Sequence, residues 1–176
     1  MSIKDNNLEQ VTRAYVAMRR ESTRAGMNPL YLKYYDKLCD TLQDTFWAPY
    51  SGRRSLQDQE KLWLKGRSPE SLAKGERRVT NAKAGDSAHN WGCATDWAEF
   101  RPEYVKSQIW DKAEWEVFGT AVRSVGLIWG GDFKSINDKP HAELPIKVSW
   151  GEIGKVYREM GLGEALDAIK RYAIEI

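Results

Sequence analysis

Histidine and cysteine are the scarce residues of this chain, with two of each in 176 positions. Cys39 and Cys93 fit neither a disulfide framework nor a paired-cysteine zinc site, both of which need more cysteines or tighter spacing, so they read as buried thiols. No charge of one sign dominates. The 27 Lys+Arg and 25 Asp+Glu leave a formal charge of +2, which removes a strongly basic nucleic-acid binder as the starting expectation. Long apolar runs are also missing: none approaches the roughly 20 residues that span a bilayer. The segment Met1-Ser2-Ile3-Lys4-Asp5-Asn6-Asn7 is polar and has no apolar signal core. The expectation is therefore a protein first resident in a cytoplasm, without stable membrane insertion.

What is present describes an ordinary globular chain. Hydrophobic residues make up 41% and charged residues 30%, far from the composition of disorder. The length suits one domain, expected to cover 1–176, which buries roughly 70% of its unfolded surface and needs no disulfides. Eight tryptophans imply an aromatic core or a cleft for something flat or extended.

Periodicity predicts a first helix over Leu8 to Arg24 with Leu8, Val11, Tyr15 and Met18 on its apolar stripe, and a second over Tyr31 to Asp44. Phe46 to Tyr50 reads as an edge strand, and Ser55 caps a helix closed by Gly66. Ser68 to Asp86 reads as a mobile surface loop. Cys93 to Phe100 and Leu127 to Trp129 read as strands on either side of a helix from Lys112 to Ser124, and Ala142 to Val148 reads as a last strand. Two further helices follow, marked by Ile153, Val156, Tyr157 and Met160 and by Leu166, Ile169 and Tyr172. Helices flanking a few short strands make the fold class α+β, with a small, mainly antiparallel sheet.

Both histidines fall beside carboxylates. His89 stands seven positions before Asp96, and Asp138 stands three before His141. Neutral imidazole and carboxylate are good ligands for a borderline divalent ion, and three of them leave a coordination position open. His89, Asp96 and His141 are the candidate ligands. Asp138, tied to a ligand by a connection stiffened by Pro140, is left over as a candidate general base. Two histidines and a carboxylate also describe the facial triad of non-haem iron oxygenases, which usually sit in all-β double-sheet folds. A helix-rich chain places iron second to zinc.

The string Ser87-x-His89-x-x-Gly92-x-Ala94-x-Asp96, then Trp129-Gly130-Gly131-Asp132-Phe133 and Asp138-x-x-His141, resembles the zinc peptidases that cut the stem peptide of bacterial cell walls. It is most similar to phage endolysins with L-alanyl-D-glutamate peptidase activity, relatives of the D-alanyl-D-alanine carboxypeptidases. Ser51-Gly52-Arg53-Arg54-Ser55-x-x-x-Gln59, Gly66-Arg67 and Val79-Thr80-Asn81-Ala82 match the same group, so the resemblance runs from about Phe46 to Leu144. It implies one zinc ion per chain held by His89, Asp96 and His141, with Asp138 as base and Arg54 steadying an oxyanion or a substrate carboxylate. Ser87 and Trp129 are candidate substrate contacts; a turn cap and a core position are the competing readings, and Trp91 shares the second ambiguity. Arg53, Trp91 and Ala142 depart from the family's usual aromatic, Tyr and aromatic, which bears on peptide specificity rather than on the chemistry.

The implied activity is hydrolysis of the L-alanyl-D-glutamate bond of peptidoglycan during host lysis. The implied partners are the stem peptide and a holin-type protein that opens the membrane; no nucleic-acid partner and a monomeric state are expected. No separate wall-binding module is expected, and the helices over 1–45 and 149–176 read as packing around the catalytic sheet. A D-alanyl-D-alanine carboxypeptidase is the near alternative, and a zinc-containing binding module without activity the distant one.

Overall fold

The structure, a computed structural model, describes residues 3–134 and 136–174. Eight α-helices surround a four-stranded sheet among the described residues: α1 Ile3–Arg24, α2 Pro29–Thr41, β1 Trp47–Ser51, α3 Leu56–Leu64, α4 Pro69–Ala73, β2 Ala94–Glu99, α5 Gln108–Asp111, α6 Trp115–Ser124, β3 Ile128–Trp129, β4 His141–Glu143, α7 Trp150–Met160 and α8 Leu162–Tyr172. The strand order is β1-β2-β4-β3, with every pairing antiparallel. This is the α+β arrangement that the element pattern predicts.

Local chemistry sets most boundaries. Asn28 accepts from the Leu30 N–H at 3.0 Å and Pro29 opens α2, so the helix starts two residues earlier than its apolar stripe. Ser55 caps α3 by accepting from Asp58 N at 3.0 Å. Ser149 and Glu152 form a reciprocal capping box on α7. The expected strand from Ala142 to Val148 shrinks to His141–Glu143, because Pro145 has no N–H to donate to a ladder. Inside the expected loop from Ser68 to Asp86, Ser68 caps one short helix, α4.

The core lies between the sheet and α2 and α6. Tyr31, Tyr35, Leu38, Trp47, Trp97 and Phe118 are buried there. Their polar atoms are paired: Trp97 Nε1–H donates to Thr95 Oγ1 at 2.7 Å, and Tyr31 Oη shares a 2.5 Å hydrogen bond with the same hydroxyl. Central strand β2 is covered on both faces. Thr95 and Trp97 enter the core, and Asp96 points to the opposite side, where the site lies.

The first helix also departs from the sequence expectation. The stripe Leu8, Val11, Tyr15 and Met18 does not face the core; these residues are 51%, 61%, 40% and 52% exposed. Instead α1 docks through buried Val16 and through Arg20, whose guanidinium donates to the carbonyls of Trp47 at 2.8 Å and Leu42 at 2.7 Å. A long arginine stem carries no signal in an apolar periodicity, yet it does the packing here.

Candidate metal centre

The ladder between β2 and β4 pairs Asp96 with His141 and Ala94 with Glu143. Cross-strand partners share a face, so Asp96 and His141 emerge side by side, and Glu143, two residues along the strand from His141, emerges beside it. His89 arrives from a different kind of element, the 3₁₀ turn Ala88–Trp91. That turn is closed by Gly92 at φ +67°, a left-handed conformation, and a Cβ there would strike the backbone of Gly26 and Asn28. Glycine is what lets the ligand turn press against the start of α2. The Arg54 N–H donates to the His89 carbonyl at 2.9 Å, which ties the turn to the segment after β1.

His89 Nε2 and His141 Nδ1 each lie 3.2 Å from Asp96 Oδ1. One ligand atom from each residue falls within 4.8 Å of the others, a spacing at which one ion can touch all three. The remaining ring nitrogens are oriented. His89 Nδ1–H donates to the Gly52 carbonyl at 2.8 Å, which leaves Nε2 with its lone pair toward Asp96. His141 Nε2–H donates to Glu143 Oε2 at 2.9 Å, which assigns Nδ1 to the ligand side. Ser51 Oγ–H donates to Asp96 Oδ2 at 2.6 Å, so the second carboxylate oxygen is held as well. Two borderline nitrogen donors and one oxygen, each braced from behind, fit a divalent ion of the zinc kind.

The electrostatics agree. Burial disfavours a charged His141, but the hydrogen bonds to Asp96 and Glu143 outweigh it and raise its pKa to about 10. Burial pushes Asp96 upward, and the two imidazoles overcome this, holding its carboxyl well below the usual carboxylate range. The negative potential that retains a proton on His141 Nδ1 is equally available to a divalent cation, which displaces that proton.

Asp138 enters from a turn folded onto Gly130. Its N–H donates to the Gly130 carbonyl at 3.1 Å, and its own carbonyl accepts from His141 N at 3.0 Å. A side chain at position 130 would collide with the Asp138 carbonyl and the His141 Cβ, so the glycine permits this close approach. Burial raises the Asp138 pKa above the ordinary carboxylate value. Arg54 donates through Nη1 to Gln59 Oε1 at 2.9 Å, and its Nη2 lies 3.7 Å from Asp96 Oδ2. Gln59 is buried and donates onward to the Ala82 carbonyl at 2.8 Å, so it acts as a rigid bracket for the guanidinium.

Arg54, Ser87, His89, Asp96, Asp138 and His141 line one cleft of about 330 Å³. Six of the seven site residues expected from the sequence are thus brought together. Trp129 is not among them. It is buried in β3, donates its N–H to the Lys139 carbonyl at 2.6 Å, and packs against Gly119 and Gly131 with Arg123 across its ring. It supports the turn that carries Asp138 and does not touch the cleft. Trp91 is buried as well, with its N–H on the Gly85 carbonyl. Sequence reasoning passed over Glu143, Tyr50 and Trp110, and it quoted Gln59 in a matching string without giving it a role. The signal for Glu143 was available, because residues two apart in a strand share a face.

Residues 80–144 match the family model described as D-alanyl-D-alanine carboxypeptidase, a segment that contains both histidines, Asp96 and Asp138. The peptidoglycan L-alanyl-D-glutamate endopeptidase CwlK of Bacillus subtilis (strain 168) is 34% identical over 102 residues, covering 53% of this chain and 57% of the relative. The chain therefore spans little more than half the length of that relative. Among solved structures, the L-Ala D-Glu endopeptidase ChiX of Serratia marcescens is 21% identical with a TM-score of 0.46, covering 82% of this chain and 91% of that one. VanY, the vancomycin resistance D,D-pentapeptidase of a VanB-type cassette, solved with Zn(II), is 20% identical with a TM-score of 0.48, covering 80% and 83%.

Proposed function

We propose that the chain, related through residues 80–144 to the D-alanyl-D-alanine carboxypeptidase family, is a zinc-dependent peptidase of peptidoglycan that hydrolyses the L-alanyl-D-glutamate bond of the stem peptide. The observation that carries the reading is the convergence of an oriented His-Asp-His set and a separate buried carboxylate on one cleft. The endopeptidase choice is supported by the likeness to CwlK.

His89 Nε2, Asp96 Oδ1 and His141 Nδ1 would hold the zinc ion. When bound, zinc supplies Lewis acidity that polarises a carbonyl and makes water a better proton donor. Asp138 then has the work of moving the proton. Its carboxylate takes it from the attacking water and delivers it to the departing amine, so that one group serves as base and then acid. Burial suits it to both steps, because a carboxyl with a raised pKa accepts and returns a proton near neutral pH more readily than an exposed one. Arg54, bracketed by Gln59, presents fixed donors to the oxyanion or to a substrate carboxylate. Ser87 lies in the same cleft as a substrate hydroxyl contact.

The finer reading is an endolysin of phage origin that reaches the wall after a holin-type protein opens the membrane. It is supported by the sequence resemblance. A second reading, the D,D-carboxypeptidase, is favoured by the description of the matching family model. Digestion of defined muropeptides with and without chelator, followed by mass spectrometry of the products, separates the two. A new D-glutamate amino terminus supports the endopeptidase and free D-alanine the carboxypeptidase; neither product from zinc-loaded protein overturns the peptidase reading.

A further inference from the structure

One wall of the cleft is aromatic and belongs neither to the ligand set nor to the proton path. Tyr50 is 49% exposed, and its ring meets that of Trp110 edge to face at 4.9 Å. Trp110, from α5, lies nearly parallel to Trp115 at 6.2 Å, and Trp115 packs on buried Trp47 at 5.2 Å. The Trp115 N–H donates to the Trp110 carbonyl at 3.2 Å. Tyr50 is held from the other side by Arg19, which donates to the carbonyls of Pro49 and Tyr50. The pair is therefore a fixed surface backed by the core. Trp110 also borders an adjoining shallow depression of about 540 Å³, lined with it by Val105, Lys106 and Ser107. It forms the ridge shared by the cleft and that depression.

We propose that Tyr50 and Trp110 form a sugar subsite that receives the muramic sugar carrying the stem peptide, so that glycan-linked peptides are selected over free ones. The inference rests on the peptidase reading above and deepens it. The nitrogen of the stem L-alanine is joined through a lactyl group to the sugar, which places the ring only about two residue lengths, roughly 7 Å, from an L-alanyl-D-glutamate bond under attack. A cleft that cuts this bond must accommodate the sugar at its edge. By the same count the D-alanyl-D-alanine bond of a pentapeptide stem lies five residue lengths from the sugar, roughly 17 Å in an extended chain.

The chemistry of the wall suits that neighbour. A pyranose offers an apolar C–H face and a rim of hydroxyls and amide; Trp110 and Tyr50 offer flat apolar faces, with Lys106 and Ser107 at the border for the polar rim. Neither Trp110 nor Tyr50 provides a ligand or a proton, so their contribution is to binding.

The test compares N-acetylmuramyl-L-Ala-D-Glu-containing tripeptide with the same tripeptide capped by a plain acetyl group. Both are measured for kcat/KM on the zinc-loaded chain and for Kd by calorimetry on the zinc-loaded Asp138→Asn variant, whose turnover should be slow enough for binding to be read. A preference of about three- to tenfold for the sugar-bearing peptide is expected, expressed in KM rather than kcat and repeated in Kd. Trp110→Ala should bring both ratios close to one, and Trp110→Phe should keep most of the preference. If Trp110→Ala fails to fold, Tyr50→Leu at its half-exposed position should lower the ratio in the same direction. Equal use and equal binding of the two peptides by the unaltered chain overturns the subsite, as does a preference that survives Trp110→Ala. Sugar-dependent binding without any cleavage would support the subsite and overturn the peptidase reading; no cleavage and no sugar dependence overturns both.

Discussion

The ligand-bearing half of the sheet and helix α1 are built on opposite principles. Around Asp96 and His141 each functional atom has a dedicated partner: Gly52 for His89, Glu143 for His141, Ser51 for Asp96 and Gln59 for Arg54. Helix α1 is 22 residues long, yet it meets the rest of the molecule through Val16, a few arginines and the edge of Tyr15 on Phe100, with Leu8, Val11 and Met18 exposed. Precision is concentrated where atoms must be placed to a fraction of an ångström, and the helix is attached by groups that tolerate adjustment. The difference is chemical. Ladder pairing and oriented imidazoles fix position and direction, whereas a guanidinium on a flexible stem fixes attachment alone.

The sharpest test of the comparison lies in the cleft. Asp138→Asn should retain stoichiometric zinc while lowering kcat by about 10²- to 10⁴-fold, read by metal analysis and peptide hydrolysis in parallel. Full activity in that variant would remove Asp138 from the mechanism. On the proposed mechanism the same residue should set the acid limb of the unaltered chain. Only the ionised carboxylate accepts a proton, and burial raises its pKa, so activity should fall with decreasing pH sooner than it would with an exposed aspartate as the base. An acid limb at or below the pKa of an exposed aspartate would contradict this.

Glu143→Ala removes the acceptor behind His141 without touching a ligand, and should weaken zinc affinity about 10- to 100-fold in a competition titration. The contrasting region gives smaller effects of another kind. Arg20→Met deprives the Trp47 and Leu42 carbonyls of their donor and should lower unfolding stability by about 2–4 kcal/mol by urea titration, with zinc stoichiometry unchanged. The smallest change belongs to Val11→Ser. At 61% exposure it should stay within about 0.5 kcal/mol of the parent, and a larger loss would show that the stripe is covered after all.

Much of the site was legible because its chemistry is compressed into short spacings. Asp138-x-x-His141 lies in one turn, and His89 with Asp96 lies in one turn-to-strand passage. The fold was legible where caps and breakers are local, as at Ser55 and Gly66. It was not legible where a residue acts through its less obvious part. The stem of Arg20 packs α1, the N–H of Trp129 secures the Lys139 carbonyl, and the ring of Trp110 closes a cleft whose other walls are far away in the chain. Strand β2 shows the same limit from another side. Its alternation was read correctly as a strand, but burial on both faces means that no contrast between wet and dry positions was there to say which face carries the ligands.

The pairing of Asp96 with His141 across the β2–β4 ladder joins positions 45 apart in the chain. A disordered chain holds these two groups and His89 together only at the entropic cost of closing that long loop, a cost the folded sheet has already met. An ion that binds the finished ladder in preference to the open chain deepens the native basin. An interaction made only with the finished ladder lengthens the lifetime of the folded state rather than hastening its formation.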